Sequence, residues 1–134
     1  MLFGSLALAV ATLGIINTLV MAILERRHEI GIMKALGASD GDIKMIFFVE
    51  AGSMGIFGGA LGVGMGWMIG RLINLGTNFY LKQQFEIRPE NFWYVPLWLA
   101  LFALVFSVLV SLGAGLYPAS RAARLDPVQA LRHD

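Results

Sequence analysis

Few residues of this 134-residue chain have types and spacings that could do chemistry, and each can be weighed in turn. Glu50 is the one carboxylate set inside an apolar run, where an ionisable group is a candidate for proton or ion handling. A proton route needs further ionisable groups at that depth, and the other apolar runs contain none. Asn17 is the polar amide available to meet Glu50, and Lys44 or Arg121 are cations that could pair with it. Gly37-Ala38-Ser39-Asp40-Gly41 matches G-x-S-x-G, but a nucleophile elbow needs a strand before it and here a charged helical segment precedes it. His28 and His133 lack metal-ligand spacing, and no G-x-x-x-x-G-K-[ST] occurs that could cradle ATP. The absence of cysteine excludes disulfides and thiol catalysis. These residues point to no catalytic site, no metal and no cofactor held by this chain.

The elements that would position such residues are membrane helices. The chain is 57% hydrophobic and 14% charged, with a mean hydropathy of +0.72, far more apolar than a soluble domain. A net charge of +1 without a basic block gives no footing for nucleic acid. The fold class expected is all-α and polytopic, with three spans at about residues 2–24, 42–73 and 95–116. Residues 25–41 and 117–134 are then the cytoplasmic parts, and 74–94 an aromatic-rich extracytoplasmic loop suited to the interface. The second span exceeds one bilayer and must tilt or project.

Basic residues set the orientation. Arg26, Arg27, Lys34, Lys44, Arg121, Arg124 and Arg132 fall on one side, against Arg71, Lys82 and Arg88 on the other. The positive-inside rule places the N-terminus outside and the C-terminus in the cytoplasm. An odd number of spans starting outside, without a leader, leads us to expect an earlier segment in the natural protein.

Between the first two apolar runs lies Glu25–Ser39, ERRHEIGIMKALGAS. Ile30, Met33 and Leu36 recur every three residues and give a short amphipathic helix one apolar stripe. Gly37 stands where a helix stops in the left-handed region, and Ser39 with Asp42 forms a capping pair for the next helix. The pattern specifies helix, turn, helix. Two readings of the short helix remain level: lying on anionic lipid headgroups, or docking a protein partner. In the tail, Asp126-Pro127-Val128-Gln129 is a start signal for a small terminal helix.

Gly58, Gly62, Gly66 and Gly70 recur every four residues in the second span, with Gly55 and Gly59 on an adjacent row. Small residues at that spacing let another helix approach closely, so close packing is favoured over a hinge or a substrate groove. Gly4, Ala7, Ala11 and Gly14 of the first span, or Ser107, Ser111 and Gly115 of the third, are candidate counterparts, as is a second copy of the chain.

Taken together, ERRHEIGIMKALGAS after a span, Glu50 and the glycine ladder in the next, and YPASRAARLDPVQALRHD after the last resemble the FtsX-like permease domain of ABC transporters. The likeness is to the type found in macrolide exporters and lipoprotein-release permeases. It implies a four-helix permease with an ectodomain between its first and second helices, of which this sequence holds the last three. It also implies dimers of permeases, homo- or heterodimeric, in the inner membrane and a cytoplasmic ATPase, fused or separate, that binds the ATP. By position, Arg26, Arg27, Glu29, Ile30, Met33, Lys34 and Leu36 would form the coupling helix seated on that ATPase. The tail, especially Arg121, Arg124 and residues 125–131, would lie near it. Two other functions compete: a self-sufficient channel or secondary transporter using Glu50, and a non-transporting membrane adaptor that regulates cell-wall enzymes.

Overall fold

The computed structural model describes residues 2–85 and 93–124. Four helices account for nearly all of them: α1 (Leu2–Glu25), α2 (Arg27–Ala35), α3 (Asp40–Phe85) and α4 (Leu97–Ala123). α1, α3 and α4 are long and apolar enough to cross a membrane. The chain is an all-α membrane protein. Large apolar side chains such as Phe57 (70% exposed) and Trp98 (68%) lie on the outside of these helices, where lipid rather than water must solvate them.

The helices fall into two compact units, Met1–Gly55 with Val108–Asp134, and Ile56–Ser107. In the first, one apolar cluster draws on every helix: Leu19 and Ile23 of α1, Ile30 of α2, Ile43, Phe47 and Ala51 of α3, and Ala119, Ala122 and Ala123 of α4. In lipid, burying apolar side chains gives little drive, so close van der Waals packing and interhelical hydrogen bonds must hold the helices. Gly115 lies so near α3 that an added Cβ would come within 2.8 Å of Ala51 Cβ. One turn earlier, the buried Ser111 hydroxyl donates to the Ala51 carbonyl at 2.8 Å.

In the second unit, an added Cβ at Gly59 would strike the Ser107 hydroxyl and lie 3.2 Å from Ser107 Cβ. Asn74, 7% exposed, clamps the backbone of Trp93 by donating to its carbonyl (2.8 Å) and accepting from its N–H (2.9 Å).

The turn after α2 follows the sequence pattern. Gly37 has φ 101°, and Ala38 N–H reaches Met33 O (2.9 Å) while Gly37 N–H reaches Lys34 O (3.0 Å), a Schellman closure. Ser39 and Asp42 then cap α3 reciprocally, Ser39 N–H to Asp42 Oδ2 at 2.8 Å and Asp42 N–H to Ser39 Oγ at 3.2 Å.

Two expected boundaries are corrected. α3 runs on to Phe85, so the first part of the supposed loop 74–94 is helical. The polar residues there suggested a loop, yet no proline stands before Pro89 and a growing helix gains a bond per residue. α4 does not end at Tyr117-Pro118 but continues to Ala123. Pro118 removes one backbone bond and crowds the Ala114 carbonyl, at about 3 kcal/mol in an ordinary helix. Ala119, Ala122 and Ala123, all at 0% exposure, hold the last turn in the core regardless.

The close approach at Gly115 can be checked directly. Gly115→Ala is expected to destabilise the protein by about 1–3 kcal/mol in thermal unfolding in detergent, because the neighbouring Ala51 Cβ cannot swing aside. Gly113→Ala, where an added Cβ meets nothing within 4 Å, should be neutral or slightly stabilising.

Candidate functional site

The residues singled out on α2 divide by face. Ile30 is 1% exposed and lies in the shared cluster, Gly31 is buried, and Met33 packs against that cluster. Glu29, Ile32 (42% exposed) and Leu36 (84%) lie on the opposite side at i, i+3 and i+7, with Arg26 also exposed. The apolar stripe expected through Ile30, Met33 and Leu36 is therefore split. Its first two members fasten the helix to the apolar cluster it shares with the long helices, and Leu36, at the C-cap before the turn at Gly37, points outward.

Lys34 is the fastening at the other end of α2. Its ammonium pairs with Asp40 Oδ1 at 2.9 Å and donates to the Ala123 carbonyl, its side chain only 12% exposed. Ala123 ends α4, where carbonyls lack intrahelical partners and a cation complements the dipole, and Asp40 stands in the first turn of α3, where an acid does the same. One side chain thus links the end of α2 to the start of α3 and the end of α4. Arg27 lines a cleft with Val20, Ile23, Leu24, Pro118 and Arg121.

Glu50 is half-buried, and its Oε2 is enclosed without a hydrogen-bond partner. Asn17 is exposed and does not serve it, and neither Lys44 nor Arg121 pairs with that oxygen. A hydrocarbon core of about 30 Å laid over the 20 uncharged residues 51–70, at ~1.5 Å each, would leave Glu50 at its edge.

In the glycine ladder, an added Cβ at Gly58, Gly62 or Gly66 meets nothing within 4 Å, and at Gly70 it touches only Trp93 Cβ at 3.7 Å. The tight approaches within the chain use the adjacent row instead, at Ala51 and Gly59, against Gly115 and Ser107 of α4. Among the described residues no cluster of His, Asp and Glu could hold a metal. The tail helix expected at 125–131, with Arg132 and His133, and Arg88 of the loop lie outside the described residues.

With this geometry in view, the sequence matches the family described as FtsX-like permease C-terminal over residues 1–127. The chain belongs to the FtsX-like permease family. It is 40% identical over 129 residues to an uncharacterized ABC transporter permease of Methanocaldococcus jannaschii, covering 96% of this chain and 31% of that protein. It is 34% identical over 135 residues to the ABC transporter permease YtrF of Bacillus subtilis, covering 98% and 31%. A macrolide export ATP-binding/permease protein MacB of Psychrobacter arcticus is 36% identical over 129 residues, 96% of this chain but 18% of that protein. The chain spans about a third of the first two relatives and under a fifth of the third.

Within this FtsX-like chain, sequence reasoning missed Asp40 as the partner of Lys34, and Ile32 as an outward residue. Asp40 carried a readable signal, an acid in a helix's first turn six residues after a lysine across a glycine turn. Ile32 carried none, since it lies off the regular three-residue stripe.

Lys34→Met is expected to loosen α2, costing about 1–3 kcal/mol by leaving the Ala123 carbonyl without its donor. Asp40→Asn should cost less, below about 1 kcal/mol, because Asp40 is 60% exposed and its ion pair is screened by water. Thermal melts together with amide exchange across α2 check that order.

Proposed function

We infer that this chain is the membrane-embedded C-terminal part of an ABC transporter permease, and that α2 is the coupling helix on which a cytoplasmic ATPase sits. The observation that carries the reading is the fixed seat of α2. Ile30 in the core and Lys34 across the helix ends make α2 move with the long helices while Arg26, Glu29, Ile32 and Leu36 stay exposed. A helix that is anchored on one face and bare on the other can receive a push from a partner and pass it into the membrane helices.

The relatives support the same assignment, since the Psychrobacter protein joins ATP-binding and permease parts by name. On this reading the chain lies in the cytoplasmic (inner) membrane with α2 on the cytoplasmic side. ATP is bound by the partner, and closure of that partner works through α2 to drive export, release or efflux. Gly62 and Gly66 line a cleft with Leu99, Ala100 and Ala103 of α4, and the exposed Gly58, where an added Cβ meets nothing within 4 Å, leaves room for a neighbouring permease in a homodimer or heterodimer.

Substituting the exposed face alone tests this. Glu29→Arg with Leu36→Asp, introduced into the full transporter, should abolish co-purification of the ATPase and leave the melting temperature of the permease unchanged. Ile30→Asp should lower both. An ATPase complex that survives the Glu29/Leu36 double substitution would overturn the docking role of α2.

A further inference from the structure

Where α1 leaves its apolar run and α4 passes Pro118, a cleft of about 180 Å³ is lined by Val20, Ile23, Leu24, Arg27, Pro118 and Arg121. The α1–α2 junction and α4 repeat one arrangement there. An apolar lining residue, Leu24 or Pro118, is followed three residues later by an arginine, Arg27 or Arg121. Apolar walls therefore sit on the membrane side of the cleft and two guanidinium groups at its polar end. A neighbouring opening lined by Tyr117, Ser120, Arg121 and Arg124 adds a third arginine and two hydroxyls.

Neither Arg27 nor Arg121 is ion-paired with a carboxylate among the described residues. Like charges sharing one cleft repel each other unless an anion is placed between them. A free phosphate would answer the charge but leave the Val20, Ile23 and Leu24 wall uncovered. An acyl chain would answer the wall but not the charge. Leu24 (50% exposed), Leu116 (54%) and Tyr117 (62%) already present apolar surface to lipid beside the cleft.

We propose that this cleft binds an anionic membrane phospholipid, its phosphate between Arg27 and Arg121 and an acyl chain along Val20, Ile23 and Leu24. Arginine suits the task because its planar fork matches phosphate oxygens and stays charged at the membrane surface. Arg27 is also the first residue of α2, so the bound lipid braces the start of that helix, while Lys34 lies in its last turn. The site rests on α1 and α4 crossing the membrane and not on ATPase docking.

The test compares retention of phosphatidylglycerol and phosphatidylcholine by the intact purified transporter, using native mass spectrometry from mixed micelles. Phosphatidylglycerol should be preferred, and Arg27→Gln with Arg121→Gln should lower that preference roughly thirtyfold, equivalent to about 2 kcal/mol for two basic residues. Arg27→Lys with Arg121→Lys should restore most of it, which separates loss of charge from loss of fold. Arg71→Gln with Lys82→Gln removes the same charge elsewhere and should leave the preference intact. Equal retention of both lipids by the parent would overturn the site, as would unchanged preference in the Arg27/Arg121 glutamine pair or equal loss in the Arg71/Lys82 pair. Binding of inorganic phosphate alone as tight as that of the lipid would also overturn it.

Discussion

At the junction of the helices one ammonium group meets two demands together. Lys34 donates to the Ala123 carbonyl ending α4 and pairs with Asp40 in the first turn of α3. Helix ends are where backbone groups lose their partners, and three of them converge on this side chain. Without the cation, a carbonyl beside a fully buried Ala123 would face neither water nor a donor. The place of α2 depends on this linkage, which also supplies a donor to the end of α4, whose last turn Ala119, Ala122 and Ala123 hold in the core. Ile30 adds the apolar half of the attachment, at 1% exposure among residues from every long helix.

The rest of the first unit follows from packing in a solvent that gives apolar surfaces little reason to associate. Gly115 lets α4 approach Ala51 of α3, and the Ser111 hydroxyl uses the proximity for a hydrogen bond to the Ala51 carbonyl. Interhelical bonds of this kind are worth only about 0.6 kcal/mol on average in membranes, so shape must supply the remainder. Small residues on one row of each helix supply it.

The helix class, the turn at Gly37 and the Ser39–Asp42 cap were legible because each rests on local chemistry: apolar run length, a left-handed φ and a side chain within reach of its own backbone. The packing rows were only partly legible. Spacing offered Ser107, Ser111 and Gly115 on α4 beside a set on α1, but the conspicuous ladder of Gly58, Gly62 and Gly66 drew attention from the neighbouring row that α4 meets. Spacing gives a row and not its rotational phase. The α2 stripe shows the same limit, since Ile30 and Met33 obey helical periodicity while Leu36 lies at the C-cap and turns outward. The helical stretch after Asn74 was hidden because polar residues there resemble a loop, although no breaker stops α3 before Phe85.

Under the proposed function, α2 is held to the membrane helices firmly enough to move as one body with them when a partner ATPase closes. Spin labels at Glu29 on α2 and Tyr117 on α4, both exposed, would report this in the assembled transporter by electron–electron distance measurement. A single narrow distance, unchanged between the nucleotide-free and ATP-bound states, is the expected result. A distance that broadens or shifts when ATP binds would show α2 sliding on its seat and would contradict the account.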